Sequence, residues 1–143
     1  LRQMARRSDL FTLLPTTGAD GFVQQFLRFH DEDLRRFFPQ LDPSALHGAH
    51  GALVLRNLLP VGLFLYRDAD DPRSVEVLVD YVIADYRDQK NAEFVYRTLG
   101  KRFAEAGKRA FTTRTTVDAH RRYLLRQGFQ ESPPGHFQKP FSH

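Results

Sequence analysis

The chain has 143 residues, 41% hydrophobic and 27% charged, the make-up of one folded globule and not of a disordered tail. Its 21 Lys and Arg outnumber its 17 Asp and Glu, a formal net charge of +4 that favours an anionic partner. The absence of cysteine excludes disulfides, a thiol nucleophile and cysteine-based zinc sites, and fits a reducing, cytoplasmic setting.

Residues 1–9, with Arg2, Arg6 and Arg7, read as a basic linker or frayed start, and 10–143 as a single domain. The chain opens on Leu with no signal-like segment after it, which is expected of a fragment or trimmed domain. Leu10 to Leu14 is a first strand closed by Pro15. Phe22, Val23, Phe26, Leu27 and Phe29 recur at helical spacing, and a second helix is expected from Asp31, as cap, to the stop at Pro39. After a loop, Gly51 to Arg56, Val61 to Tyr66 and Ser74 to Ile83 read as three strands in an antiparallel meander. The third alternates, placing Val75, Val77, Val79, Tyr81 and Ile83 on one core face and Glu76, Leu78, Asp80 and Val82 on the other.

The period then turns helical. Ala92, Val95, Tyr96, Leu99, Phe103 and Ala106 form one stripe that Gly107 ends. Arg109 to Thr115 is a strand, a helix runs from about Val117 to Gly128, and Gly135 to Phe141 is a last, edge strand. No apolar run reaches the roughly 18 residues of a membrane span; the longest is broken by Pro60 and Gly62.

Chemistry is expected where the third strand meets the long helix. A strand running into a helix N-terminus leaves backbone N–H groups pointing outward at the positive end of the dipole, where phosphates bind. Arg87 and Lys90 add charge there, or are solvated loop cations. Asp80, mid-strand among valines, is a candidate general base with a raised pKa, and Glu76 lies on its face; for both the alternative is a solvent-facing strand residue. His47 and His50 stand in a small-residue loop without nearby ligands, so no metal site is expected. The basic pairs Arg35-Arg36 and Arg121-Arg122 decorate helix faces, and no aromatic or helix-turn-helix pattern points to nucleic acid.

Two segments carry a resemblance. Val82-Ile83-Ala84-Asp85-Tyr86 followed by Arg87-Asp88-Gln89-Lys90-Asn91-Ala92 is similar to the strand end Val-x-Pro-x-Tyr and loop Arg/Gln-x-x-Gly-x-Gly/Ala of the GNAT superfamily of acyl-CoA-dependent N-acetyltransferases. Lys90 replaces that loop's first glycine, and Ala84 its proline. Ala119 to Phe129 resembles the family's Ala-x-x-Leu-Tyr-x-x-x-Gly-Phe helix end; the family tyrosine is Leu124 here, with Tyr123 one position earlier.

The resemblance implies an α/β (α+β) fold with a mixed, twisted central sheet flanked by helices on both faces. It further implies acetyl-CoA or CoA as cosubstrate, pantetheine between two splayed strands, and direct attack on the thioester by an amine, small molecule or protein. The cofactor set it implies is Tyr81, Val82, Ile83, Arg87, Gln89, Lys90, Asn91 and Ala92, with the N–H groups of 89–92 toward the pyrophosphate. Asp80 as base, Tyr123 as acid toward the thiolate and His120 facing the thiol are the catalytic candidates; the alternatives for His120 and Tyr123 are a surface or capping residue and a core residue. A competing expectation is a non-catalytic CoA-binding or interaction domain, the soluble part of a larger protein.

Overall fold

The computed structural model describes residues 9–141, so all but Asp9 of the expected linker lies outside the described residues. Seven strands form one sheet in the order β1-β2-β3-β4-β5-β7-β6. They are β1 (Phe11–Thr17), β2 (His50–Arg56), β3 (Leu59–Asp68), β4 (Ser74–Val82), β5 (Ala110–Arg114), β6 (Gln130–Glu131) and β7 (His136–Pro140). The helices are α1 (Gly21–Phe29), α2 (Asp31–Leu34), α3 (Gln89–Glu105) and α4 (Asp118–Arg126). The mixed sheet, with helices on both faces, is the architecture expected from the sequence. No helix among the described residues is long and apolar enough to cross a membrane.

Strands β1 to β4 are antiparallel neighbours. β1 does not stop at Pro15: it runs to Thr17, because an edge strand tolerates a residue without an N–H. The β2–β3 turn is made by Asn57 and Leu58, both at positive φ, the geometry that matches strand twist in a two-residue hairpin. The second helix is a single turn, ending at Leu34 and not at Phe38. Helices α3 and α4 end alike. In α4, Gly128 at φ +91° sends its N–H to Leu125 O and the Phe129 N–H reaches Leu124 O; Gly107 and Lys108 repeat this on Ala104 and Phe103.

The β4 alternation is broken. Its register with β3 runs Phe64↔Asp80 and Leu65↔Val79, then jumps to Tyr66↔Val77, leaving Leu78 as an extra residue. The expected single face is therefore split. Val75 and Val77 pack with Val95, Tyr96 and Leu99 of α3, whereas Val79 and Tyr81 pack with Val23, Phe26 and Leu27 of α1. Asp80 is not opposite the whole core: it lies on the α3 side, across from Phe64. All five of Val77, Val79, Tyr81, Val95 and Leu99 are buried, and Phe103 is partly so.

The bulge also bends β4 away from β5. These two strands run parallel for three pairs only, Ser74↔Ala110, Val75↔Phe111 and Glu76↔Thr112. The Thr113 hydroxyl still reaches Val77 O at 3.0 Å, and beyond it the strands part. On its other side β5 keeps pairing with β7 as far as Arg114↔His136.

Candidate active site

Beyond the last β4–β5 pair, a cavity of about 380 Å³ lies between the end of β4, the start of α3 and α4. β4 supplies one wall through its backbone. The Ile83 N–H donates to Val61 O on the β3 side at 2.8 Å, so by ladder alternation the N–H and C=O groups of Val82 and Asp80 face the gap. α4 supplies the other wall with Ala119, His120, Tyr123 and two arginines, Arg122 and Arg126.

At the floor, the Tyr96 hydroxyl donates to Asp80 Oδ2 at 2.5 Å and the Tyr123 hydroxyl donates to the same oxygen at 2.8 Å. Burial pushes the Asp80 carboxyl up, and the two hydroxyl donors pull back only part of that rise. Burial beside Asp80 raises both tyrosines well above the usual phenol range. The carboxylate and the phenols thus form one hydrogen-bonded unit with no counter-ion in it. His120, 4% exposed, has its ring at 4.8 Å from Phe38 and its Nδ1 buried without a partner. Burial lowers its pKa to about 4, so the imidazole is neutral at neutral pH.

The mouth is organised by charge. Arg87 turns back over β4, its Nε donating to Val82 O at 2.8 Å and its guanidinium pairing with Asp33 within α2. That guanidinium lies 5.1 Å from the Phe37 ring centre and 5.4 Å from that of Tyr81. Asp33 also accepts from the Tyr81 hydroxyl at 2.5 Å; burial works against its charge, yet these donors hold its carboxyl below the usual range. Asp88 caps α3, Oδ1 accepting the Lys90 N–H at 3.1 Å and Oδ2 pairing with Arg56 Nη1 at 2.9 Å. Arg56, its side chain 10% exposed, also holds Asp9 at 2.7 Å.

Of the residues expected from the sequence, Asp80, Tyr81, Val82, Arg87, Gln89 and Ala92 come together on the cavity with His120 and Tyr123. Ile83 does not line it; it packs between the two core clusters. Asn91 is fully buried, its amide donating to Tyr86 O and to Asp88 Oδ1. Lys90 points its ammonium toward Asp9, 4.0 Å away. Glu76 pairs with Arg67 outside the cavity. Sequence reasoning passed over Tyr96, Phe37 and Arg126. The signal for Arg126 was its place four residues after Arg122, one turn along the same face.

Neither a protein-family model nor a curated protein matches the chain. Solved structures do. A GNAT-family acetyltransferase from Staphylococcus aureus superposes with a TM-score of 0.70 at 12% identity, covering 93% of this chain and 100% of the other. The chain has the GNAT fold. Tetrahymena GCN5 shares this fold with a TM-score of 0.67 at 12% identity, over 92% and 96% of the two chains. An Escherichia coli GNAT-family N-acetyltransferase, solved in complex with CoA, matches with a TM-score of 0.59 at 15% identity, over 94% of this chain and 82% of that one. In this GNAT fold, the parting of β4 from β5 and the bulge that causes it set the frame for the Asp80 cluster.

Proposed function

We propose that the β4–β5 gap takes the pantetheine arm of acetyl-CoA and that the protein transfers the acetyl group directly to a primary amine. The observation that carries this reading is the β4 backbone at Asp80 and Val82, which no neighbouring strand pairs on the β5 side, beside a carboxylate held between two tyrosine hydroxyls. Pantetheine amides pair with that backbone as an added strand would. The amine nitrogen attacks the thioester carbonyl carbon, a C–N bond forms, and the C–S bond breaks to give the amide and CoA thiol. Asp80 takes the proton the nitrogen loses, and Tyr123 gives one to the departing sulfur. Their 2.8 Å hydrogen bond lets the proton pass from the first to the second, so the pair ends the turnover as it began.

Acetyl-CoA turnover against a panel of primary amines, followed by free thiol release, tests the reading. Thiol release that depends on amine, and on Asp80, supports it. A second reading, a CoA-binding module without turnover, is favoured by the Arg87 contact, which occupies the Val82 carbonyl a pantetheine amide would use. Binding of acetyl-CoA with no thiol released by any amine would select that reading.

A further inference from the structure

We infer that the phosphates of the acyl-CoA are held by Arg122 and Arg126 of α4 and not by the turn that opens α3; this rests on the acyl-CoA reading above. A diphosphate at a helix start needs free N–H donors and an unneutralised positive field. The α3 turn has little of either. The Asp88 N–H donates to Tyr86 O at 2.9 Å, the Lys90 N–H is taken by the Asp88 carboxylate, and Asn91 has no exposed surface. Gln89 alone keeps an N–H for a ligand.

The charges of the turn cancel as well. Asp9 and Asp88 share the Arg56 guanidinium, and the Lys90 ammonium leans on Asp9. Arg87 is tied to Asp33 and Val82 O. An incoming diphosphate therefore meets three carboxylates already matched to three cations, with nothing left over.

Across the cavity the balance differs. Arg122 and Arg126 stand one helical turn apart, both exposed and both on the cavity wall. Neither forms an ion pair among the described residues. Two unpaired guanidiniums on one face match the charge and the forked geometry of a diphosphate. Gln89 and Arg126 also border a second groove of about 910 Å³ along α3, and the reciprocal amide pair Gln89–Gln127, at 3.1 and 3.3 Å, bridges α3 and the end of α4 at that boundary. An arm leaving the cavity on its α4 side passes the two arginines before it reaches solvent.

Calorimetry with two ligands, acetyl-CoA and the phosphate-free S-acetylpantetheine, separates the terms. Arg122→Ala and Arg126→Ala should each weaken acetyl-CoA binding about tenfold, and the double variant about 50- to 100-fold, for charge-assisted contacts at a partly exposed site. Both should bind S-acetylpantetheine within about twofold of the parent, and Lys90→Ala should shift either ligand by less than about threefold. Unchanged melting temperatures in these surface variants show that the fold is intact. The inference is overturned if the double variant holds acetyl-CoA as the parent does, or if Lys90→Ala causes the larger loss. It is overturned too, with the acyl-CoA reading left standing, if the parent binds the two ligands equally well. A parent that binds neither at millimolar concentration removes the acyl-CoA reading itself.

Discussion

At the floor of the cleft a single carboxylate, Asp80, is shared by two tyrosine hydroxyls and has no cation beside it; at the mouth, Asp9, Asp33 and Asp88 are each matched to an arginine. The floor stores electrostatic cost. Its acid is desolvated, its phenols are pushed up, and the neutral His120 next to them keeps an unused nitrogen. The mouth spends its charges on structure, tying α2, α3 and the start of β1 together. Buried groups left short of partners are where proton chemistry is expected, whereas matched surface pairs contribute architecture. That contrast separates Asp80 from Arg87, which the sequence placed side by side as functional candidates.

The largest effect expected is on turnover. Asp80→Asn should lower kcat at least about a hundredfold while leaving acetyl-CoA affinity nearly unchanged, because proton transfer is lost and the backbone is not. The same variant should melt at a higher temperature at pH 7. A carboxyl whose folded pKa lies above its unfolded value contributes stability at low pH and loses it as pH rises, so at pH 7, where the unfolded carboxyl is ionised, burying this group is a cost that asparagine removes. Equal kcat in the variant would put the floor and the mouth in the same structural class.

Next is the mouth itself. Arg56→Met strands Asp9 and Asp88 together, and should cost about 2–3 kcal/mol in chemical denaturation, less than for a fully buried pair because both acids remain partly hydrated. His120 gives the third. Its folded pKa, about 4, lies below the 6.5 of a free imidazole, so its contribution is complete above pH 6.5 and is lost as pH falls toward 4. The parent should lose about 3 kcal/mol over that window that His120→Asn does not lose, read from unfolding curves at a series of pH values. The smallest effect belongs to Arg87. If its guanidinium competes for Val82 O, Arg87→Ala should leave acetyl-CoA affinity unchanged or tighten it by up to about threefold. A tenfold loss would instead put that guanidinium on a phosphate.

Much of this fold is legible in the sequence because its signals are local. The three-strand meander, the α3 stripe and the glycine stops at Gly107 and Gly128 each depend on residues a few positions apart, and all are present. The bulge at Leu78 is not legible. β4 is covered on both faces, so valines suit either side and the alternation looks unbroken although the strand changes face halfway. Asp80 could be named as a candidate base, but not its partners: Tyr96 and Tyr123 reach it from two helices, and Tyr96 reads as core in the α3 stripe. The α3 turn shows the opposite limit, a local pattern whose surroundings the sequence does not reveal. Its anion-site pattern is there in sequence, yet Asp88 within it is a helix cap that takes an N–H for itself, and Arg56 and Asp9, far off in the chain, neutralise what remains.

A crystal structure with acetyl-CoA tests the central claim most directly. The account predicts the arm in the gap between β4 and β5, its amides paired with the backbone of Asp80 and Val82, Arg87 displaced from the Val82 carbonyl, and the thioester within reach of Asp80 and Tyr123. An empty gap at millimolar acetyl-CoA, or an arm bound elsewhere with Arg87 still on Val82, would contradict it.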